Sequence, residues 1–254
     1  MTNSAGKSQK SDVAQLRTAI PRAKQGDSPC AACQVRHLAV CSALEDSELN
    51  LLDKIVRFVE LEAGDSVFDE GEPALNVYNL TAGTVKLYKL LPDGRRQVTG
   101  FLSAGDFLGL AASDDYIFSA ESVTPASLCK FSRADLDLLL EQAPQLERRL
   151  LGMARYELAE AQDQMLLLGR KTAKERIASF LLMLSDRAVC RGEADNPVLI
   201  PMSRNDIGDY LGLTTETVSR TLTRLRTGGV ISLETDRKIT LVERETLQDI
   251  SEGF

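Results

Sequence analysis

Three cysteines fall within a dozen residues: Cys30-Ala-Ala-Cys33, then Cys41 after seven intervening positions. A fourth, Cys129, stands far downstream. The first 25 residues are polar and hold no apolar core of the length a signal peptide needs, so the chain is expected in the cytoplasm. Thiols are kept reduced there and disulfides are rare. A Cys-x-x-Cys with two further thiols in reach then reads first as a metal or cluster site. Thiolates are soft ligands that suit zinc, copper(I) and iron–sulfur clusters. Zinc prefers two close pairs, which a lone and distant fourth cysteine does not supply. Four unrelated buried cysteines would be a coincidence. His37, the only histidine, lies between Cys33 and Cys41; haem ligation is the sharper reading and a solvated loop side chain the blander one. Cys190 matches no ligand pattern and reads as a small buried hydrophobe, with a reactive thiol beside Arg191 as the alternative.

These side chains need elements to hold them. Leu49, Leu52, Ile55 and Val56 fall at helical spacing within Glu45 to Phe58. From Val59 to Phe131 short alternating or β-branched runs are cut by Ala63-Gly64-Asp65, Gly71-Glu72-Pro73, Gly83-Thr84, Pro92-Asp93-Gly94 and Gly105-Asp106. Turns at such intervals predict an antiparallel β-sandwich or roll, with Pro92-Asp93-Gly94 as a hairpin tip. Beyond Pro144, Leu151, Ala154, Leu158, Ala161, Met165 and Leu168 follow steps of three and four, the spacing of a coiled-coil seam. The bland reading is a helix packed on its own domain. A homodimer seam is preferred, because charged residues occupy the other faces and the next segment wants a two-fold partner.

That segment starts with a capping box, Ser203-Arg204-Asn205-Asp206. A short helix ends near Tyr210, Leu211-Gly212-Leu213 makes a tight turn, and Thr214 caps a second helix stopped by Gly228-Gly229. Val218, Leu222 and Leu225 share its buried face, while Thr215, Glu216, Ser219, Arg220 and Thr223 are left to read. Helix, glycine turn and polar-faced helix form a helix-turn-helix whose second member is shaped for a major groove. Val230–Leu233 and Lys238–Val242 add a β-hairpin wing.

A net charge of -7 hides an uneven distribution: +3 over residues 1–28, -10 over 29–169, +3 over 170–226 and -3 over 227–254. A mildly basic module on an acidic body is compatible with DNA binding, since phosphate contacts are local. No apolar run spans a bilayer, so no membrane partner is expected. Without a phosphate-binding glycine loop or a nucleophile elbow, and with one histidine, the chain is not expected to be an enzyme.

In this order the parts resemble the Crp/Fnr family of bacterial transcription regulators over residues 28–250, and within it the FNR branch of oxygen sensors. The most specific stretches are Leu166-Leu167-Leu168 with Lys174-Glu175-Arg176, and Asp206 to Leu213 running into Glu216-Thr217-Val218-Ser219-Arg220. The resemblance implies an α+β fold. A disordered tail would cover residues 1–28, and a cluster segment with a jelly-roll β-roll like the cyclic-nucleotide-binding one would cover 29–143. A dimerisation helix over 144–169 and a winged helix-turn-helix over 170–254 would follow. It implies a [4Fe–4S] cluster on Cys30, Cys33, Cys41 and Cys129, although the gap between Cys33 and Cys41 is longer than in the best-known members. FixK-like members share the reading helix yet lack these cysteines, so their presence points to the FNR branch; a cluster-independent, FixK-like or redox-gated regulator is the alternative. No arginine lies between Arg96 and Arg133 to hold a cyclic phosphate, so no cyclic nucleotide is expected. The implied target is a TTGAT-N4-ATCAA palindrome, with Glu216, Ser219 and Arg220 on base edges and Arg204, Arg224 and Arg226 on phosphates. RNA polymerase is the implied partner, with Leu91-Pro92-Asp93-Gly94-Arg95-Arg96 as an exposed charged loop to meet it. Related members tend to carry an acid on the dimer helix. The seam here has Ala161 instead, with Asp163 at its edge, which predicts an apo-protein that already dimerises.

Overall fold

Glycine turns cut residues 57–132 into a run of short strands, and their pairing decides where the fourth cysteine sits. A computed structural model describes residues 29–110, 113–235 and 237–254; the tail expected over 1–28 lies outside them. A turn-rich segment carries the first three cysteines and ends in a single 3₁₀ turn, Val40–Ala43. Helix α1 (Leu49–Ile55) follows and is shorter than its apolar spacing predicts. Val56 leaves the helix because Arg57 already pairs with Lys130 in a sheet, and tertiary pairing overrides local propensity.

The strands are β1 (Arg57–Leu61), β2 (Ser66–Phe68), β3 (Asn76–Ala82), β4 (Val85–Leu90), β5 (Arg96–Leu102), β6 (Phe107–Leu108), β7 (Ser119–Ser122) and β8 (Ala126–Ser132). They form two sheets, ordered β1-β8-β3-β6 and β2-β7-β4-β5, with antiparallel pairing. Side chains alternate between faces along each strand. Tyr78, Leu80, Ala126 and Leu128 enter an apolar cluster with Val85, Leu102 and Ala120 of the other sheet. Val77, Cys129 and Phe131 turn the other way, into a second cluster with Val40, Leu49 and Leu52. Helix α2 (Arg133–Gln142) and the base of α3 (Pro144–Arg170) add Leu136, Leu139, Leu146 and Leu150 to it.

Two compact units divide the chain, the first comprising residues 1–89 and 99–155 and the second residues 90–98 and 156–254. In the second, α4 (Ala173–Cys190) starts on a capping box between Thr172 and Glu175. Then come β9 (Val198–Leu199), α5 (Arg204–Leu211), α6 (Thr215–Thr227), β10 (Ile231–Thr235), β11 (Lys238–Leu241) and α7 (Arg244–Glu252). The wing has a third member that the sequence did not announce, since β9 pairs with β11 and is only two residues long. Arg176 on α4 joins three pieces of this unit: it donates to the carbonyls of Leu168 (2.8 Å), Lys171 (2.9 Å) and Leu211 (2.8 Å). No helix among the described residues is long and apolar enough to cross a membrane.

Candidate cofactor site and nucleic-acid interface

Cys129 sits at the centre of its sheet, in register with Phe58 on β1 and Asn79 on β3. The cysteine segment folds over that spot. Val40 N donates to Asn79 Oδ1 at 3.5 Å, and Cys30 N donates to Asp53 Oδ1 on α1 at 3.4 Å. Within the segment Arg36 Nη2 donates to Leu44 O at 2.7 Å, while Arg36 Nη1 pairs with Asp46. The result is one pocket of about 460 Å³, open mouth included, lined by Cys30, Cys33, Cys41 and Cys129 together with Pro29, Val40, Leu52, Phe58 and Phe131.

The thiols of Cys30, Cys41 and Cys129 are held neutral by this setting. Burial above all, then the Asp53 carboxylate that accepts from the thiol, pushes Cys30 up. Burial, then Cys33 and Cys41, push Cys129 up to about 12. Cys41 is pushed up to about 11 by burial and Cys33, against a downward pull from the Arg36 and Arg149 guanidinium groups. Loading such a site with metal must release protons. No three Cys, His, Asp or Glu side chains among the described residues converge to hold one metal ion. Four thiols spread around an apolar pocket suit an iron–sulfur cluster, which is gripped at its corners and insulated by an apolar shell. The Nε of Arg149, buried and without a hydrogen-bond partner, adds an unmatched cationic donor beside Cys41. The donor set therefore fits the cluster that the sequence implied. Cys190 is exposed rather than the buried hydrophobe expected of it, because it ends α4 on the solvent side.

The second site is local in construction. Ser203 and Asp206 form the capping box of α5, and Gly212 ends that helix with φ +64°, a left-handed turn that glycine makes without strain. Thr214 Oγ1 accepts from Thr217 N at 3.1 Å and starts α6. Val218, Thr221, Leu222 and Leu225 are buried. Thr215, Glu216, Ser219, Arg220 and Thr223 are exposed, and Arg204 is half-buried. Arg220 pairs with Glu216 one turn away, Thr215 donates to Asn205, and Thr223 Oγ1 donates to Ser219 O. Beside them opens a groove of about 1100 Å³ that includes Lys174, Arg220 and Arg224. The helix pair thus presents a polar, cationic face of the kind that enters a major groove.

Comparison with known proteins matches residues 175–250 to the Crp-like helix-turn-helix domain and residues 58–143 to the cyclic nucleotide-binding domain. The chain is 45% identical over 204 residues to the nitrogen fixation regulation protein FixK of Bradyrhizobium diazoefficiens, covering 80% of this chain and 86% of that one. The chain belongs to the Crp/Fnr family of transcription regulators. It is also 36% identical to the transcriptional activator protein FnrL of Cereibacter sphaeroides, over 84% of this chain and 88% of FnrL. The solved structure of FixK2 from Bradyrhizobium japonicum superposes with a TM-score of 0.72 at 40% identity, covering 77% of this chain and 97% of FixK2. Members of this family are DNA-binding regulators and not enzymes.

Helix α3 carries the residues expected to form a seam outward. Leu151, Ala154, Leu158, Ala161 and Met165 are exposed, with Leu158 at 60% and Met165 at 71%. Tyr156 and Leu166 are exposed beside them. Leu168 is half-buried, its side chain close to Gly212. The hairpin expected to be an exposed charged loop is only partly so. Asp93 and Arg95 pair with each other at the surface, but Arg96 is held by Asp206 and Asp209 of α5, each at 2.9 Å. Two carboxylates facing one guanidinium outcompete solvent. Sequence reasoning missed Asp53 and Arg149, since neither belongs to a motif, and it gave Lys174 no role; only the fold brings them to their sites.

Proposed function

We propose that the chain is a homodimeric, oxygen-responsive activator of transcription that holds a [4Fe–4S] cluster on Cys30, Cys33, Cys41 and Cys129. The observation that carries this reading is the common pocket lined by all four thiols, drawn from a segment and a strand far apart in sequence. When bound, the cluster supplies sensitivity to oxygen and ties the four thiolates together. The chain's own part is to hold the cysteine segment against β1, β3 and β8 through Asn79 and Asp53, and to continue the same apolar cluster into the base of α3. The exposed row from Leu151 to Met165 is the seam by which two chains pair, setting two α6 helices on the half-sites of a TTGAT-N4-ATCAA-like palindrome. Arg220 has the fork for guanine O6 and N7, and Glu216 can accept from cytosine N4 once their mutual pair opens. Arg204, Arg224, Arg226 and Lys174 serve phosphates. Asp93 and Arg95 remain as the hairpin charges open to RNA polymerase. A cyclic nucleotide is not the signal: the roll has no arginine between Arg96 and Arg133, and its buried Lys86 is already paired with Glu121 at 2.7 Å.

The likeness to FixK favours a second reading, a regulator of the same fold working without a cluster. Anaerobic purification followed by iron and sulfide analysis and a visible spectrum decides between them. A brown protein with about four irons and four sulfides per chain supports the first, in keeping with four-thiolate ligation of such clusters. A colourless, metal-free protein that binds the palindrome establishes the second, and a colourless zinc protein removes both.

A further inference from the structure

Helix α3 passes through the core beside the cysteines before it presents any seam residue. Leu146 and Leu150 are buried in the same cluster as Cys30 and Val40, with Cys41, Cys129 and Met153 packed on its edge. Between them Arg149 reaches back to the cysteine segment, and its Nη2 donates to Leu38 O at 2.7 Å across 111 residues of chain. Leu38 is wedged from the other side as well. A Cβ at Gly105, where φ is +100°, would stand 2.6 Å from the Leu38 Cβ, so only glycine permits the approach. The carbonyl that Arg149 grips therefore belongs to backbone that cannot slide without parting from the β-roll. The same guanidinium keeps a buried Nε with no partner, which is costly for a charged group. Its charge lies close to Cys41. Gln145 Nε2, which donates to Glu48 Oε1 at 2.7 Å, is another polar tie from this end of α3 to the region before β1, and it carries no charge.

We propose that Arg149 is the positioning residue through which loading of the cysteines reaches the dimer seam. It joins the Cys33–Cys41 loop to α3 two residues before Leu151, so negative charge gathered in the pocket tightens its hold and fixes the start of the seam. This rests on the cluster reading above. Without Arg149 the thiols still close around their cargo, but the helix is not informed.

The test separates loading from coupling. Wild type and Arg149→Met are reconstituted anaerobically, iron and sulfide are counted, and dimer dissociation constants of apo and loaded forms are measured by sedimentation. Loading should tighten the wild-type dimer by roughly 5–150-fold, the usual span of an allosteric coupling, and the Arg149→Met dimer by less than about twofold at equal iron content. Wild-type tightening in a fully loaded Arg149→Met overturns the proposal and leaves the cluster reading intact. An Arg149→Met protein that folds but takes up no iron also overturns it, since Arg149 would then support the cage and relay nothing. A wild type that takes up neither iron nor sulfide removes both. Should Arg149→Met fail to fold, Arg149→Gln, which keeps a donor for Leu38 O and loses the charge, decides in its place: undiminished tightening there overturns the proposal.

Discussion

The thiol pocket and the reading helix are built by opposite means. The side chains proposed to read bases sit on one helix, Thr215–Thr227, and find their partners within a turn or on the adjoining α5. They are exposed, and their hydrogen bonds and ion pairs stay local. The pocket instead draws on a turn-rich segment and the central strand of a sheet, and its thiols are largely buried. Every member depends on the rest of the fold. If the proposed roles hold, the exposed helix is open to graded, position-specific damage, whereas the thiol pocket fails as a unit.

Four substitutions sharpen or break this contrast. The largest effect is expected of Cys129→Ser, because a serine hydroxyl is a poor ligand for iron in a sulfur-rich site. Anaerobic iron content, visible absorption and specific DNA binding should all be lost together. A serine variant that assembles a complete cluster would show that the pocket tolerates graded loss after all. Leu146→Ala, at a fully buried position in the cluster beside the cysteines, should cost about 2–5 kcal/mol in denaturant unfolding. A smaller loss would mean that the base of α3 is less firmly seated than its burial indicates. Arg220→Ala should cost roughly 1–3 kcal/mol on the palindrome and relax discrimination at one base pair. Titration of specific and random duplexes checks this, and equal loss on both would make Arg220 a phosphate contact. Least of all, Cys190→Ser at an exposed helix end should leave iron content unchanged and move stability by no more than about 0.5 kcal/mol.

The same contrast explains what could be read in advance. Ser203, Asp206, Gly212 and Thr214 act on backbone within three residues, and all four cap or turn as their types predict. The roll was legible from its turns, though not the early end of α1, where strand pairing to Lys130 outbids helix spacing. The convergence of Cys129 on the other three was legible only through family resemblance, since no local rule connects it to them. Arg149 was not legible at all. An arginine on a long helix is ordinarily a solvated side chain, and its partner Leu38 is a backbone carbonyl, which leaves no trace in residue type. Arg96 misled for a related reason: its hairpin is a surface turn by sequence, and only the fold supplies Asp206 and Asp209.

The three carbonyls gathered by Arg176 have a consequence for the geometry of the operator. Leu168 ends the proposed seam and Leu211 ends the helix in front of α6, so one planar, rigid group spans the joint between them. A joint held on three sides has little play. In the proposed dimer the two reading heads would then act as the jaws of a caliper, opened to a fixed gap and a fixed angle. One base pair added between the half-sites turns the far one by about 35° and carries it about 3.4 Å along the axis, as the pitch of B-form DNA requires. On the proposed palindrome, jaws locked in this way would follow neither movement, so the spacer is expected to be measured by its length.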